Sequence, residues 1–232
     1  MSVAAVGTGR GIRVAVVDSG VFEQHPHIGR IAGGVGIDAD GHEHPDYVDR
    51  LGHGTAVAAA IHELAPDADL YAVKVFDTAL SARIASLAAG IAWAVRMGAD
   101  VINLSLGTPK LEHESILRAA IDNAAARGAV LVSARDDEGV KYLPGSLAGV
   151  VGVQVDWSLA RGEYRVVDVD ARAVVRASGL PRPIPGVPPA RNLHGVSFAV
   201  ANASAFVARA MEGTTERSVD AVVERLRRTA SG

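Results

Sequence analysis

The chain has 232 residues, a formal net charge of −3, 49% hydrophobic and 21% charged residues, and no cysteine. This is the balance of a chain that buries a sizeable core, and it excludes a disulfide framework, a thiolate zinc site and a cysteine nucleophile. There is no basic excess, and the arginines are scattered except in the stretch 224–228, so the pattern does not point to nucleic acid as a partner.

In chain order, the first ten residues lack a basic segment followed by an apolar run. No stretch approaches the ~18 apolar residues of a membrane span. The expectation is a cytoplasmic protein with no membrane partner. Residues 12–17 form a β-branched run bounded by Gly11 and by Asp18-Ser19-Gly20, which reads as a buried strand ending in a turn. Similar runs recur at 70–75, 101–104, 130–133 and 150–155. Between them, 55–64, 81–97 and 114–127 can carry helices, whereas the polar, His- and Asp-rich stretch 29–51 reads as a surface loop. The Pro- and Gly-rich stretch 178–192 can be neither helix nor central strand. After it, 196–210 reads as a buried Ala-rich helix and 218–229 as a terminal amphipathic one. Strands alternating with helices imply a single α/β domain over residues 1–232, with a parallel central sheet and helices on both faces.

Three reactive side chains fall where such a sheet presents its ligands, at strand ends and helix starts. Asp18 follows the first strand, His53 opens the helix after Gly52, and Ser197 begins the Ala-rich helix. Singly, each has a plainer reading as a turn-capping Asp, a surface His and a helix N-cap. Together they supply what hydrolysis by a serine requires. A hydroxyl is a poor nucleophile at neutral pH, so an imidazole must take its proton and a carboxylate must orient that imidazole.

The segments Val14-Ala15-Val16-Val17-Asp18-Ser19-Gly20, Gly52-His53-Gly54-Thr55-Ala56-Val57 and Gly195-Val196-Ser197-Phe198-Ala199 resemble the aspartate, histidine and serine motifs of the subtilisin-like serine peptidases. Stretches between the motifs are also similar: Leu70-Tyr71-Ala72-Val73-Lys74-Val75 and Asp100-Val101-Ile102-Asn103-Leu104-Ser105-Leu106-Gly107. The resemblance runs from Ile12 to Met211. It implies a subtilisin-like fold and a serine endopeptidase working through an acyl-enzyme, with Ser197 as nucleophile, His53 as general base and Asp18 as its orienter. The order Asp, His, Ser is that of subtilisin and differs from chymotrypsin and the α/β-hydrolases. The resemblance also implies that an extended peptide is held between Ser105-Leu106-Gly107 and Leu80-Ser81-Ala82, and that Ala134, Arg135 and Asp136 border the substrate. No cofactor or metal is expected; the partners are a peptide or protein substrate and, as a further possibility, a dedicated partner protein.

There are departures from the family pattern. Val196 stands where Thr is usual, and Ala201 where a Pro is usual. Counting without a gap from Gly128 to Gly139 puts Asp137 at the position of the family's oxyanion asparagine, with Arg135 for an Ala and Asp136 for a Gly. An ionised carboxylate only accepts hydrogen bonds, and losing the donor costs a barrier of about 2.7–4 kcal/mol in subtilisin. Asp137 could donate if protonated, Arg135 could replace it, or turnover could be vestigial. Only residues 62–69 remain where the family often carries a calcium-binding loop, so that site is expected to be lost. The group Asp38, Asp40, His42, His44 and Asp46 reads as a solvated loop rather than a cation site. The first core strand begins at Ile12, which leads to the expectation of a compact member without a prodomain and with a narrow duty such as peptide-precursor processing. The rivals are a relative that transfers the acyl group to an amine or cyclises a peptide, and a peptide-binding pseudoprotease.

Overall fold

The computed structural model describes residues 7–188 and 191–230. The strand Arg13–Asp18 (β1) is buried from its second residue onward. Val14 and Val16 join one core, and Ala15 and Val17 the other. The two-residue period of the strand therefore divides two cores rather than core from solvent, as in a sheet covered on both faces.

β1 pairs in parallel with Asp69–Lys74 (β4) on one side and Val101–Leu104 (β5) on the other. Beyond β5 lie Val130–Ala134 (β6), Val150–Val155 (β9) and Arg172–Ala177 (β11); beyond β4 lies Ile31–Ile37 (β2), all parallel. The edges are antiparallel, with Tyr164–Val169 (β10) beside β11 and Glu43–His44 (β3) beside β2. Asp136–Asp137 (β7) and Val140–Lys141 (β8) form a small separate ribbon. Helices His53–Leu64 (α1), Val196–Met211 (α4) and Val219–Thr229 (α5) cover one face, with Val57, Ile61, Phe206 and Leu226 in the core beneath them. Ile84–Arg96 (α2) and Glu114–Ala126 (α3) cover the other through Leu87, Ile91, Leu117 and Ile121. Among the described residues, no helix is long and apolar enough to cross a membrane.

The expected α/β architecture is present, with two differences in its elements. The stretch 29–51 is not wholly loop, because β2 occupies 31–37 and β3 pairs with it. Its glycines concealed the strand. A Cβ on Gly34 would come within 2.7 Å of the Tyr47 ring, so glycine there serves a close approach rather than a bend. The hairpin of β10 and β11 was also not anticipated. It turns on Asp170 and Ala171, both with positive φ, without the glycine that usually marks such a turn.

α4 is buried from Phe198 through Ala208 and again at Met211, as befits a helix apolar on nearly every side. Its polar residues are paired. Asn202 donates to the carbonyls of Ser178 (2.8 Å) and Leu180 (3.2 Å), and Ser204 donates to Asn103 Oδ1 at 3.0 Å. Asn103 in turn donates to Ser105 Oγ at 2.9 Å. This chain joins the central helix to the end of β5, from which one wall of the site continues. Asn103→Ala is expected to cost about 1–3 kcal/mol in urea unfolding, since it strands the buried Ser204 hydroxyl, and Asn103→Ala with Ser204→Ala is expected to recover part of that loss.

Candidate active site

The chain builds β2 and β4 on one side of β1 and then β5, β6 and β9 on the other, so the carboxyl end of β1 lies where the strand order reverses and an α/β sheet places its ligands. Asp18 is the last residue of β1 and is fully buried. Its Oδ1 accepts from the Ser19 backbone N–H and from His53 Nδ1, each at 2.7 Å. Among the described residues its Oδ2 is buried without a hydrogen-bond partner. His53 begins α1, and its ring lies 5.8 Å from the Phe198 ring of α4. Burial pulls the imidazole pKa down most strongly. The Asp18 hydrogen bond, the Asp18 charge and the charge of Asp49 together outweigh it and hold the pKa above its ordinary 6.5. That is the behaviour required of a base whose imidazolium must be stabilised during attack. A Cβ on Gly54 would sit 2.2 Å from the Gly20 carbonyl oxygen and 3.2 Å from Asp18 Cβ. Glycine after the histidine thus lets the two loops meet.

Ser197 is the second residue of α4 and is half-buried. Its hydroxyl donates to the Ser105 carbonyl at 3.1 Å, while Ser105 Oγ donates back to the Ser197 carbonyl at 3.4 Å. In this structure the hydroxyl is thus turned to the edge after β5 rather than to His53.

A carboxylate that the sequence reading left inside a surface loop organises the site. Asp49 is buried. Its Oδ1 accepts from Ser19 Oγ and from the N–H groups of Leu51 and Gly52, each at 2.9 Å. Its Oδ2 accepts from Thr55 N–H at 2.9 Å and Thr55 Oγ1 at 2.6 Å. Ser19 Oγ accepts from Gly54 N–H at 2.9 Å. Burial works to raise the Asp49 pKa, but the hydrogen bonds from Thr55, Leu51 and Gly52 prevail and lower it. The signal in the sequence was an acidic residue in the turn just before a helix, where it can satisfy unpaired N–H groups.

Residues from the two expected edges line one cleft. Leu80, Ser81 and Ala82 line a cleft of about 230 Å3 together with Leu106 and Gly107. Ser105, which precedes Leu106, is buried and is not part of the cleft wall, and Leu80 is exposed. Ala134, Arg135 and Asp136 do not share one surface. Ala134 and Arg135 are buried, and the Arg135 guanidinium is paired with Asp136 and with Asp170 in the β10–β11 turn. Asp136 also accepts from Gln154 Nε2 at 2.9 and 3.1 Å. Asp136 and Asp137 line a separate cleft of about 450 Å3 with Glu138, Gln154, Trp157 and Arg176. The Asp137 carboxyl is raised from 3.8, chiefly by burial and then by the charges of Glu138 and Asp136. Among the described residues no group of three or more His, Asp or Glu is placed to hold a metal ion.

The model of the Subtilase family matches residues 9–154, and the chain belongs to that family. It is 41% identical to the thermostable alkaline protease of Halalkalibacterium halodurans over 157 residues, which are 62% of this chain and 41% of the relative. It is 38% identical to subtilisin E of Bacillus subtilis over 141 residues, 57% of this chain and 36% of the relative. The M-protease of Shouchella clausii is 30% identical over 237 residues, 97% of this chain and 60% of the relative. The chain thus spans roughly two-fifths to three-fifths of the curated relatives it matches. Among solved structures, a protease of Pseudoalteromonas arctica shares the fold with a TM-score of 0.73 at 20% identity, over 98% of this chain and 85% of that one. A lanthipeptide protease does so with a TM-score of 0.70 at 21% identity, over 97% and 82%.

Asp49→Ala removes the acceptor shared by both loops and is expected to lower urea stability by about 2 kcal/mol or more. The Asp49 pKa is depressed in the folded state, so its contribution is present above the unfolded value of about 4 and is lost as pH falls through the folded value. Urea midpoints measured from pH 6 downward should therefore fall more steeply in the wild type than in Asp49→Ala.

Proposed function

We propose that the protein is a serine endopeptidase of subtilisin type, cleaving a peptide or precursor protein through an acyl-enzyme. The observation that carries this reading is the 2.7 Å bond from His53 Nδ1 to the buried Asp18, set beside Ser197 at the start of α4 in a chain of the subtilase family. Ser197 attacks the carbonyl carbon and His53 takes its proton. His53 then returns that proton to the leaving amine as the C–N bond breaks, and water releases the acyl group by the same steps. Asp18 holds the tautomer in which Nε2 is free to act as base. The peptide pairs as an added strand between the edges at Leu80 and Ser105. The acidic cleft lined by Asp136 and Asp137 supports a narrow specificity, and a cysteine-free chain suits a reducing compartment such as the cytoplasm.

A second reading, a peptide-binding protein with impaired turnover, is favoured by the Ser197 hydroxyl lying on the Ser105 carbonyl and by Asp137. Asp137 can donate to an oxyanion only as the neutral acid, with a pKa raised from 3.8. His53 acts as base only when neutral, with a pKa above 6.5. The first requirement fails as pH rises and the second as it falls, so a rate that depends on both traces a bell.

A fluorophosphonate probe separates the two readings, because labelling demands a competent nucleophile but not a known substrate. Wild type is expected to label at Ser197, and Ser197→Ala to lose labelling while keeping its circular dichroism and urea midpoint. Absence of labelling in the folded wild type would favour the binding protein, and labelling of Ser197→Ala would refute the assignment of the nucleophile. Asp137→Asn supplies a permanent donor and is expected to raise the labelling rate at pH 7 to 8 by about tenfold or more. A folded variant with a lower rate would show that Asp137 serves another purpose.

A further inference from the structure

A second cavity, of about 570 Å3, lies beside the segments that carry His53 and Ser197, with neither of those side chains in its walls. Its walls come from the turn after β1, from Leu51 and Gly52 just ahead of His53, and from the connection after β11, ending at Asn192 and Leu193 just ahead of Gly195 and Ser197. The cleft between Leu80 and Gly107 has a different set of walls altogether. In acyl transfer the histidine gives its proton to the departing amine, and a cavity walled by the residues just ahead of the base and just ahead of the nucleophile is placed to take the part of the peptide beyond the scissile bond.

The walls combine apolar surface with unbalanced positive charge. Phe22, Leu51, Ile184 and Leu193 are exposed there. Arg182 donates from Nη1 to the His27 carbonyl at 3.0 Å, which fixes its guanidinium without neutralising it. Among the described residues neither Arg182 nor Arg191 has a carboxylate within ion-pair distance, whereas Arg50 is taken by Asp46 at 2.8 Å. The carboxylate on the wall, Asp49, keeps its charge among the neutral donors Ser19, Leu51, Gly52 and Thr55, so it offsets one of the two free guanidiniums and leaves the other in excess. The Arg182 charge reaches neighbouring imidazoles: burial first and Arg182 second lower the pKa values of His27 and His62. A cationic recess with apolar flanks is matched by an anionic group on an otherwise apolar peptide.

We propose that this cavity selects a carboxylate on the leaving-group side of the scissile bond, recognised by Arg182 and Arg191. The assignment to the leaving-group side rests on the peptidase reading; the carboxylate preference itself does not. The anion is either an acidic side chain or the free carboxyl end of a short peptide.

Calorimetric titration of Ser197→Ala protein with three short peptides tests it, since binding is then read without turnover. The peptides are Leu-Glu-Leu amide, Leu-Gln-Leu amide and Leu-Gln-Leu with a free carboxyl end. The Glu amide is expected to bind about tenfold more tightly than the Gln amide. A free carboxyl end that restores the loss would identify the chain terminus as a second source of the anion. The preference should vanish in Arg182→Gln with Arg191→Gln and shrink in 0.5 M salt, where the screening length is about 4 Å against about 30 Å at 0.01 M. Arg191→Gln alone, at an exposed position, should weaken the preference without disturbing the Arg182 bond to the 22–28 turn. Equal binding of the Glu and Gln amides, or a preference that survives the double substitution in folded protein, would overturn the proposal. If the preference holds while the fluorophosphonate probe fails to label wild type, the carboxylate site stands and the peptidase reading falls.

Discussion

A strand end and a helix start, distant in sequence, must be held at hydrogen-bonding distance without covalent help, and one buried carboxylate does this. Asp49 gathers N–H groups of Leu51, Gly52 and Thr55 on one side and the Ser19 hydroxyl on the other. The first N–H groups of a helix have no partners within it, so α1 needs such an acceptor, and Gly52 supplies no side chain to serve. The same oxygens reach Ser19, the neighbour of Asp18. Satisfying the helix and fixing the spacing of Asp18 and His53 are consequently a single event.

The third participant is positioned differently. Ser197 rides on a helix buried along most of its length, whose orientation is set by packing on both α1 and the sheet. Inside this core the Ser204 hydroxyl is matched with Asn103. An apolar helix could rotate or slide at small cost, whereas a buried hydroxyl that leaves its acceptor loses about 1–3 kcal/mol. That bond lies two turns along the helix from Ser197 and sets its register against β5.

Much of this was legible in the residues. The β-branched runs gave β1, β5, β6 and β9 because a parallel strand buried on both faces is apolar throughout, and the triad motifs sat at the ends of such runs. β2 escaped because its glycines accommodate Tyr47 and so look like loop. The hairpin of β10 and β11 escaped because its turn is made by Asp170 and Ala171 and its strands mix Arg and Asp with Val. Asp49 was hidden in a run of charged residues that differ only in burial, which is a tertiary property. Arg135 was read as bordering a substrate pocket from its place after β6, but its side chain goes to a partner far along the chain. No local pattern announces such a choice.

That partner has a consequence for how the sequence can change. The Arg135 guanidinium is buried, and it is shared between its neighbour Asp136 and Asp170, 35 residues later. Losing Asp170 leaves the guanidinium with Asp136, and losing Arg135 leaves Asp170 with Lys141, whereas the less exposed Asp136 then has no cation. Breaking a pair from one side is more damaging than exchanging the whole set for apolar residues. A lineage that drifts toward a small residue after β6 therefore has its repair to make next door, at position 136, rather than at the hairpin tip on the far edge of the sheet.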